Sequence, residues 1–314
     1  MKKVLALMVC LIAVSGCKNN AEDTSYTVNT VTESTQQVGD VVASIDESGG
    51  STSGGFTMNN EIESARRAYA RMTGGDTDKT VASMIVPEAQ AAACNTIGFD
   101  TCGTTGAGKK VRDFASCTTG GGGTIAGNVT LTFNGTGSGT CTMPAVGDYA
   151  ARVPNFTVTG LRGATFTVEA TGDGQRVTRD STGGSPAFTF TNSGIRRKFV
   201  TPKAVTLLDI TSATTATGSV TVTGASRAGR IMNSVSGGGI VITNNLTSEA
   251  CTLTPNSVTW AAGCNCPTSG SFSGTCTGTS DTFTVTFGVT CGSVTVTKTG
   301  DATNEPVTLD RCSL

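Results

Sequence analysis

The chain has 314 residues, of which 14% are charged and 5% aromatic, with a formal net charge of −1 and no histidine. Without histidine there is no Ser-His-Asp or Cys-His nucleophile and no mixed Cys/His zinc site. A negative charge with few aromatics also leaves out nucleic-acid binding, which needs a basic field and stacking platforms, so no nucleic acid is expected as a partner.

The chain begins with Lys2 and Lys3, then an apolar run from Val4 to Val14 and small residues. This is the order of a secretory signal, residues 1–16, and the run is too short for a stable membrane span. It ends in Val14-Ser15-Gly16-Cys17, which resembles the lipobox of bacterial lipoproteins, with valine where leucine is commoner. The resemblance covers about twenty residues. It implies cleavage before Cys17 and acylation of that cysteine, with the membrane as a partner through the lipid. Each methylene buried in the bilayer adds about 0.8 kcal/mol to such an anchor. Lys18 follows in place of aspartate. By the family's sorting rule this implies the outer membrane, with the domain on its periplasmic or cell-surface side.

Residues 17–58 read as a flexible acidic tether, polar and poor in periodicity, with the linker-like run Gly49-Gly50-Ser51-Thr52-Ser53-Gly54-Gly55. From Lys18 to Glu88 there are eleven acids against five bases. Residues 59–88 read as a short helix and lead-in. Asn60 and Glu63 have capping-box spacing, Ile62, Ala65, Ala68, Tyr69 and Met72 share one face, and Gly74-Gly75 closes the helix.

Residues 89–314 read as an all-β domain. Val129, Leu131 and Phe133 alternate with threonines, and so do Phe166, Val168 and Ala170, Phe188 and Phe190, and Val220 and Val222. Ile240 and Ile242, Phe283, Val285 and Phe287, and Val294 and Val296 continue the pattern. Such alternation gives each sheet one dry and one wet face, hence antiparallel pairing. Glycine-rich breaks at hairpin spacing predict a large sandwich or barrel-like structure of about 12–16 strands. A division into two subdomains, split near 145–250, stays open.

Twelve cysteines are present. Cys10 lies in the signal and Cys17 carries the lipid in this reading. The other ten form an even set, read as disulfides of an oxidising compartment. They fall into two groups, Cys94, Cys102, Cys117 and Cys141, then Cys251, Cys264, Cys266, Cys276, Cys291 and Cys312. Four and six allow pairing within each group, and spacing does not choose the partners. Cys264-x-Cys266 lacks zinc-type spacing, so no metal is expected.

Gly103 to Gly108 followed by Lys109 has the spacing of a phosphate-binding loop, but Lys110 stands where that loop needs Ser or Thr. The plain reading is a glycine-rich turn closed by disulfides. Glu169, Asp173 and Asp180 are the acids a glycoside-type mechanism would use, at spacings that fix nothing. The clearest binding feature is arginine. Between Arg152 and Arg230 there are ten bases against four acids. Arg152, Arg162, Arg176, Arg179, Arg196, Arg197, Arg227 and Arg230, if convergent, make an anion-binding face. Anionic envelope components, another surface protein and the acidic tether itself are its candidate partners.

The expected function is therefore a non-catalytic, lipid-anchored envelope or cell-surface protein in a structural, adhesive or recognition role, with no cofactor. A periplasm-facing carrier of lipid or a small apolar ligand is the alternative, and an envelope hydrolase using a carboxylate pair is a second one.

Overall fold

The computed structural model describes residues 30–48, 94, 97–118, 123–135, 141–143, 145–160, 162–182, 185–224, 226–277, 282–300 and 304–312. The signal, Cys17 and the helix expected after Asn60 lie outside these residues. The described chain is one helix, α1 (Thr30–Ser48), and a single sheet of 17 named strands. These are β1 (Lys109–Asp113), β2 (Cys117–Thr118), β3 (Thr124–Phe133), β4 (Tyr149–Thr159), β5 (Thr165–Ala170) and β6 (Gln175–Arg179). Then come β7 (Ala187–Asn192), β8 (Ile195–Val200), β9 (Thr206–Thr214), β10 (Ser219–Thr223), β11 (Ile231–Val235) and β12 (Ile240–Asn244). The last are β13 (Glu249–Trp260), β14 (Pro267–Cys276), β15 (Thr282–Phe287), β16 (Ser293–Lys298) and β17 (Asn304–Thr308).

All pairings are antiparallel, and the register shows that several named strands are halves of longer ones. β5 and β6 pair the same edge of β4: Glu169 faces Asn155 and Gln175 faces Arg152, so six residues span what three span on β4. β11 and β12 do the same along β13, where Met232 faces Val258 and Ile240 faces Leu253. β1 with β2, β7 with β8, and β9 with β10 are further broken strands. Joined in this way, the sheet is an up-and-down meander of twelve long strands from β1 to β17, each paired with its neighbour in sequence.

The breaks line up across the sheet. Gly127 of β3 sits on this line with φ +103°, and a Cβ there would overlap the Asn155 carbonyl oxygen. Only glycine meets both demands at no steric cost. The unbroken strands β4 and β13 carry proline on the same line, Pro154 and Pro255, opposite the interruptions in their partners. Proline lacks an N–H, and a strand accepts it where no ladder partner waits. Local extra residues bend a strand and increase its twist, so this line is where the sheet folds on itself.

The alternation expected from the sequence holds in most strands, while Leu131, Phe133 and Ala170 are only half-buried beside the buried Val129. Phe166, Val168, Phe188, Phe190, Val220, Val222, Ile240, Ile242, Phe283, Val285, Phe287, Val294 and Val296 are all buried, with threonines between them facing outward. Phe114 packs edge-on against Phe156, and Phe272 against Phe287.

The N-terminal segment departs from expectation. Residues 30–48 were read as part of a tether, but they form α1, and every residue from Glu33 to Ala43 is buried. α1 touches β4 and β6 on one side and β12 and β13 on the other, so the meander curls around it. Threonine, valine and Gly39 lower its helix propensity, and enclosure by the sheet overrides that preference. No described helix is long and apolar enough to cross a membrane.

The ten cysteines form five disulfides, each within one of the two groups: Cys94–Cys117, Cys102–Cys141, Cys251–Cys276, Cys264–Cys291 and Cys266–Cys312. Cys251–Cys276 joins facing residues of β13 and β14. Cys266–Cys312 ties the C-terminal segment to the approach to β14.

Candidate functional site

Consecutive residues of a strand point to opposite faces, and this decides the fate of the arginines. Arg196 and Arg197 are neighbours in β8. Arg197 points inward, where its Nε lies 3.2 Å from the Asp40 carboxylate of α1 and its guanidinium donates to Gln37 Oε1 at 3.1 Å. Arg196 points outward and grips Asp209 of β9 with two hydrogen bonds of 2.7 Å, reaching Glu169 of β5 at 3.1 Å.

The remaining arginines divide in the same way. Arg152 of β4 is buried on the inner face beside Gln175 of β6. Arg230 is buried with its guanidinium 5.8 Å from the Trp260 ring centre, and Arg179 lies 5.1 Å from that of Phe188. Arg176 is on the outer face, stacked 3.8 Å over Tyr149 and 3.6 Å from Asp173. Arg162 is exposed in the β4–β5 turn, and Arg227, in the short 3-10 turn Arg227–Gly229, donates to the Ala262 carbonyl oxygen. The eight residues therefore do not form one face. The strand pleat splits them into an inner set and several separate outer ones.

The inner set is the better-built site. Inward positions of β4, β6, β7, β8, β9 and β12 hold Arg152, Gln175, Asn192, Arg197, Ser212 and Asn244, all buried; Arg197 reaches α1, as does Arg311 of the C-terminal segment. Asn192 Nδ2 donates to Ser212 Oγ at 3.2 Å. Arg311 donates to the Asp40 carbonyl oxygen at 3.4 Å. Gln36 of α1 holds the C-terminal segment at two points, donating to the Thr308 carbonyl at 2.9 Å and accepting from the Asp310 amide at 2.8 Å. Burying an arginine beside a carboxylate costs desolvation, which their attraction and the added hydrogen bonds offset. The acidic segment that the sequence offered as one candidate partner of the arginines is thus where Arg197 finds Asp40. Asp40, Gln36 and Gln37 were missed because they lay in a stretch read as tether. The signals that mark the helix are the capping spacing of Thr30 and Glu33 and the i, i+3, i+4 set Val38, Val41 and Val42.

In the outer cluster, Asp209 is held as a carboxylate. Burial pushes the Asp209 carboxyl up. Hydrogen bonds from Arg196 and Asn245, with the charges of Arg196 and Lys198, outweigh that and leave it below the usual aspartate value. Arg196 is raised in turn by its hydrogen bonds to Asp209. An ionised carboxylate has no proton to donate, whereas a glycosidase acid needs a raised pKa. Asp173 pairs with Arg176 and Asp180 accepts from Thr189 Oγ1 at 2.7 Å, so the three acids of the hydrolase reading have separate partners.

The glycine-lysine stretch is a turn closed by the Cys102–Cys141 disulfide. Gly106 N–H donates to the Gly103 carbonyl, Lys109 N–H to that of Gly106, and Gly103 N–H to that of Lys109. Those amides serve the chain itself, and Lys109 opens a strand where a phosphate loop needs a helix. No family model, no curated protein and no solved structure matches this chain.

Proposed function

We propose that the chain is a lipid-anchored envelope protein, non-catalytic, whose β-domain serves a structural, adhesive or recognition role at the outer membrane. The observation that carries this reading is the disulfide pairing of all ten cysteines that follow Cys17. Disulfides at this density belong to chains that leave a reducing cytoplasm, which agrees with the signal and lipobox-like Cys17. The filling of the sheet's interior by α1, and the separate partners of Glu169, Asp173 and Asp180, favour this reading over the carrier and the hydrolase.

α1 also shortens the tether. Thr30 follows Cys17 by thirteen positions, a span of at most about 45 Å at roughly 3.4 Å per residue. The anchored domain then sits close to the lipid surface.

The test is palmitate labelling with membrane fractionation of the native protein and a Cys17→Ser variant. Label and membrane association in the first, lost in the second, are expected. A wild-type protein that stays unlabelled and soluble overturns the anchor. Protease treatment of intact cells then reports the exposed side: cleavage fits a cell-surface role, and protection places the domain in the periplasm.

A further inference from the structure

α1 is apolar on one side only: Val38, Val41, Val42 and Ala43 join the hydrophobic core, and the rest of its buried surface is polar. A helix enclosed on all sides is ordinarily apolar all round. Glu33, Ser34, Thr35, Gln36, Gln37 and Asp40 of α1 are all buried. Their surroundings match them in charge: Arg197 meets Asp40, and Arg152 and Arg311 add two more buried cations to the chamber. Directional polar contacts of this kind specify a partner more than they stabilise a core.

The fit also leaves groups unused. Gln175 is fully buried, and neither its Oε1 nor its Nε2 has a hydrogen-bond partner among the described residues; the same holds for Asn244 Nδ2 and Ser34 Oγ. Buried polar groups without partners weaken the docked state relative to one in which water reaches them. α1 is therefore held by its apolar side and by polar contacts such as those of Gln36, Gln37 and Asp40, and opposed by several unmade ones, a balance that suits a segment able to dock and undock.

The connectivity allows docking from another chain. Between Ser48 and Cys94 lie 45 residues, residues 49–93, a covalent reach of up to about 150 Å. Any copy within that distance can supply the same helix to the same chamber with identical contacts. The sheet edges are poorer meeting points. β1 carries Lys109 and Lys110, with its Val111 backbone bonded to Asp100, and β17 carries Pro306. Lysine and proline are devices that discourage edge-to-edge pairing.

We propose that the chamber lined by Arg152, Gln175, Arg197 and Arg311 is a receptor for α1 of a second copy, and that two copies join by exchanging α1 reciprocally. Such an exchange is isologous and closes as a dimer. A chain's own helix has the advantage of its linker, so exchange rises with the density of copies. Closure of Cys266–Cys312, which pins the segment contacting Gln36 and Gly39, then retains whichever helix has entered.

The experiment co-refolds equal amounts of 14N- and 15N-labelled full-length protein under oxidising conditions at rising concentration, with native mass spectrometry as the readout. A mixed-isotope dimer whose fraction grows with concentration is expected. Asp40→Arg alone places a cation against Arg197, and Arg197→Asp alone places a carboxylate against Asp40, so each is expected to lose the dimer. Mixed together they regain it. In the exchanged dimer the helix carrying Asp40→Arg enters the chamber carrying Arg197→Asp, and in the other chamber the unchanged Asp40 meets the unchanged Arg197. No mixed dimer of the wild type at any concentration overturns the proposal, and so does a dimer that persists in Asp40→Arg alone. If the variants fail to fold, the mixed wild-type dimer is cut within residues 49–93 and its parts weighed: a labelled α1 fragment held by an unlabelled domain supports exchange, and fragments held only by domains of their own label overturn it.

Discussion

The inner face of the sheet has two characters. Over β4, β6 to β9 and β12 it presents Arg152, Gln175, Asn192, Arg197, Ser212 and Asn244, and over β14 to β16 it presents Phe272, Phe283, Val285, Phe287, Val294 and Val296. Both stretches are buried and both come from strands of the same alternating type. The second is held by removing apolar area from water, at about 25 cal/mol per Å². The first cannot be, since burying polar groups costs free energy unless each finds a partner. One meander thus contains a conventional core and a lined chamber, and the difference is which side chains occupy the inward positions.

That contrast is open to test, and the largest effects lie inside. Phe272→Ala is expected to cost about 3–5 kcal/mol, as for large-to-small changes in packed cores. Arg197→Met is expected to cost about as much, because it leaves Asp40 buried without its cation, yet the double change Arg197→Met with Asp40→Leu should recover most of the loss. Urea midpoints of the three variants measure this. Failure of the double change to recover stability would show that the chamber does not depend on its ion pair.

Next comes the clasp on α1. Replacing both Cys266 and Cys312 with serine opens a loop of 46 residues and should cost about 2–4 kcal/mol. Limited proteolysis should then cut within 30–48 before the strands. Simultaneous cleavage of both would mean that the C-terminal segment does not secure the helix.

The outer Arg196–Asp209 pair should matter less. Asp209→Asn is expected to cost about 1 kcal/mol, because Arg196 is exposed enough for water to screen the pair although Asp209 is buried. Its folded pKa is lowered, so its contribution is complete above the ordinary aspartate value of about 3.9. That contribution is lost as pH falls through the lowered one. Stability measured from pH 6 down to pH 2 should fall less steeply in the variant than in the wild type.

The smallest effect belongs to the wet face. Thr284 is half-buried on β15 opposite Ser273 and Thr297, and Thr284→Ala should move the thermal midpoint by less than about 0.5 kcal/mol equivalent. A large loss there would mean that the hydroxyl face packs against something.

Much of this architecture was readable in the chain. Alternation in segments such as Thr282–Phe287 named the buried residues outright, because a period of two permits only one dry face. The separation of the cysteines into two even groups allowed pairing within each, and the structure alone chose the partners. The arginines were legible as a set but not as a site. Arg196 and Arg197 are adjacent, and adjacency in a strand means opposite directions, so their charge density in sequence became two unrelated ion pairs in space. The capping pattern at Asn60 drew attention to a segment outside the described residues, while the less apolar stretch from Thr30 drew none.

The sequence by itself determined the strands, their buried faces and the oxidised cysteines, because each of these follows from local periodicity or from residue chemistry. Only the tertiary structure decided the role of residues 30–48. Their polar side chains give a helix no reason to be buried until a curled sheet supplies Arg197, Arg311 and the Thr308 carbonyl, partners 157 or more positions away along the chain from Asp40. Contacts at such separations depend on how the whole meander bends, and no window of sequence contains that bend.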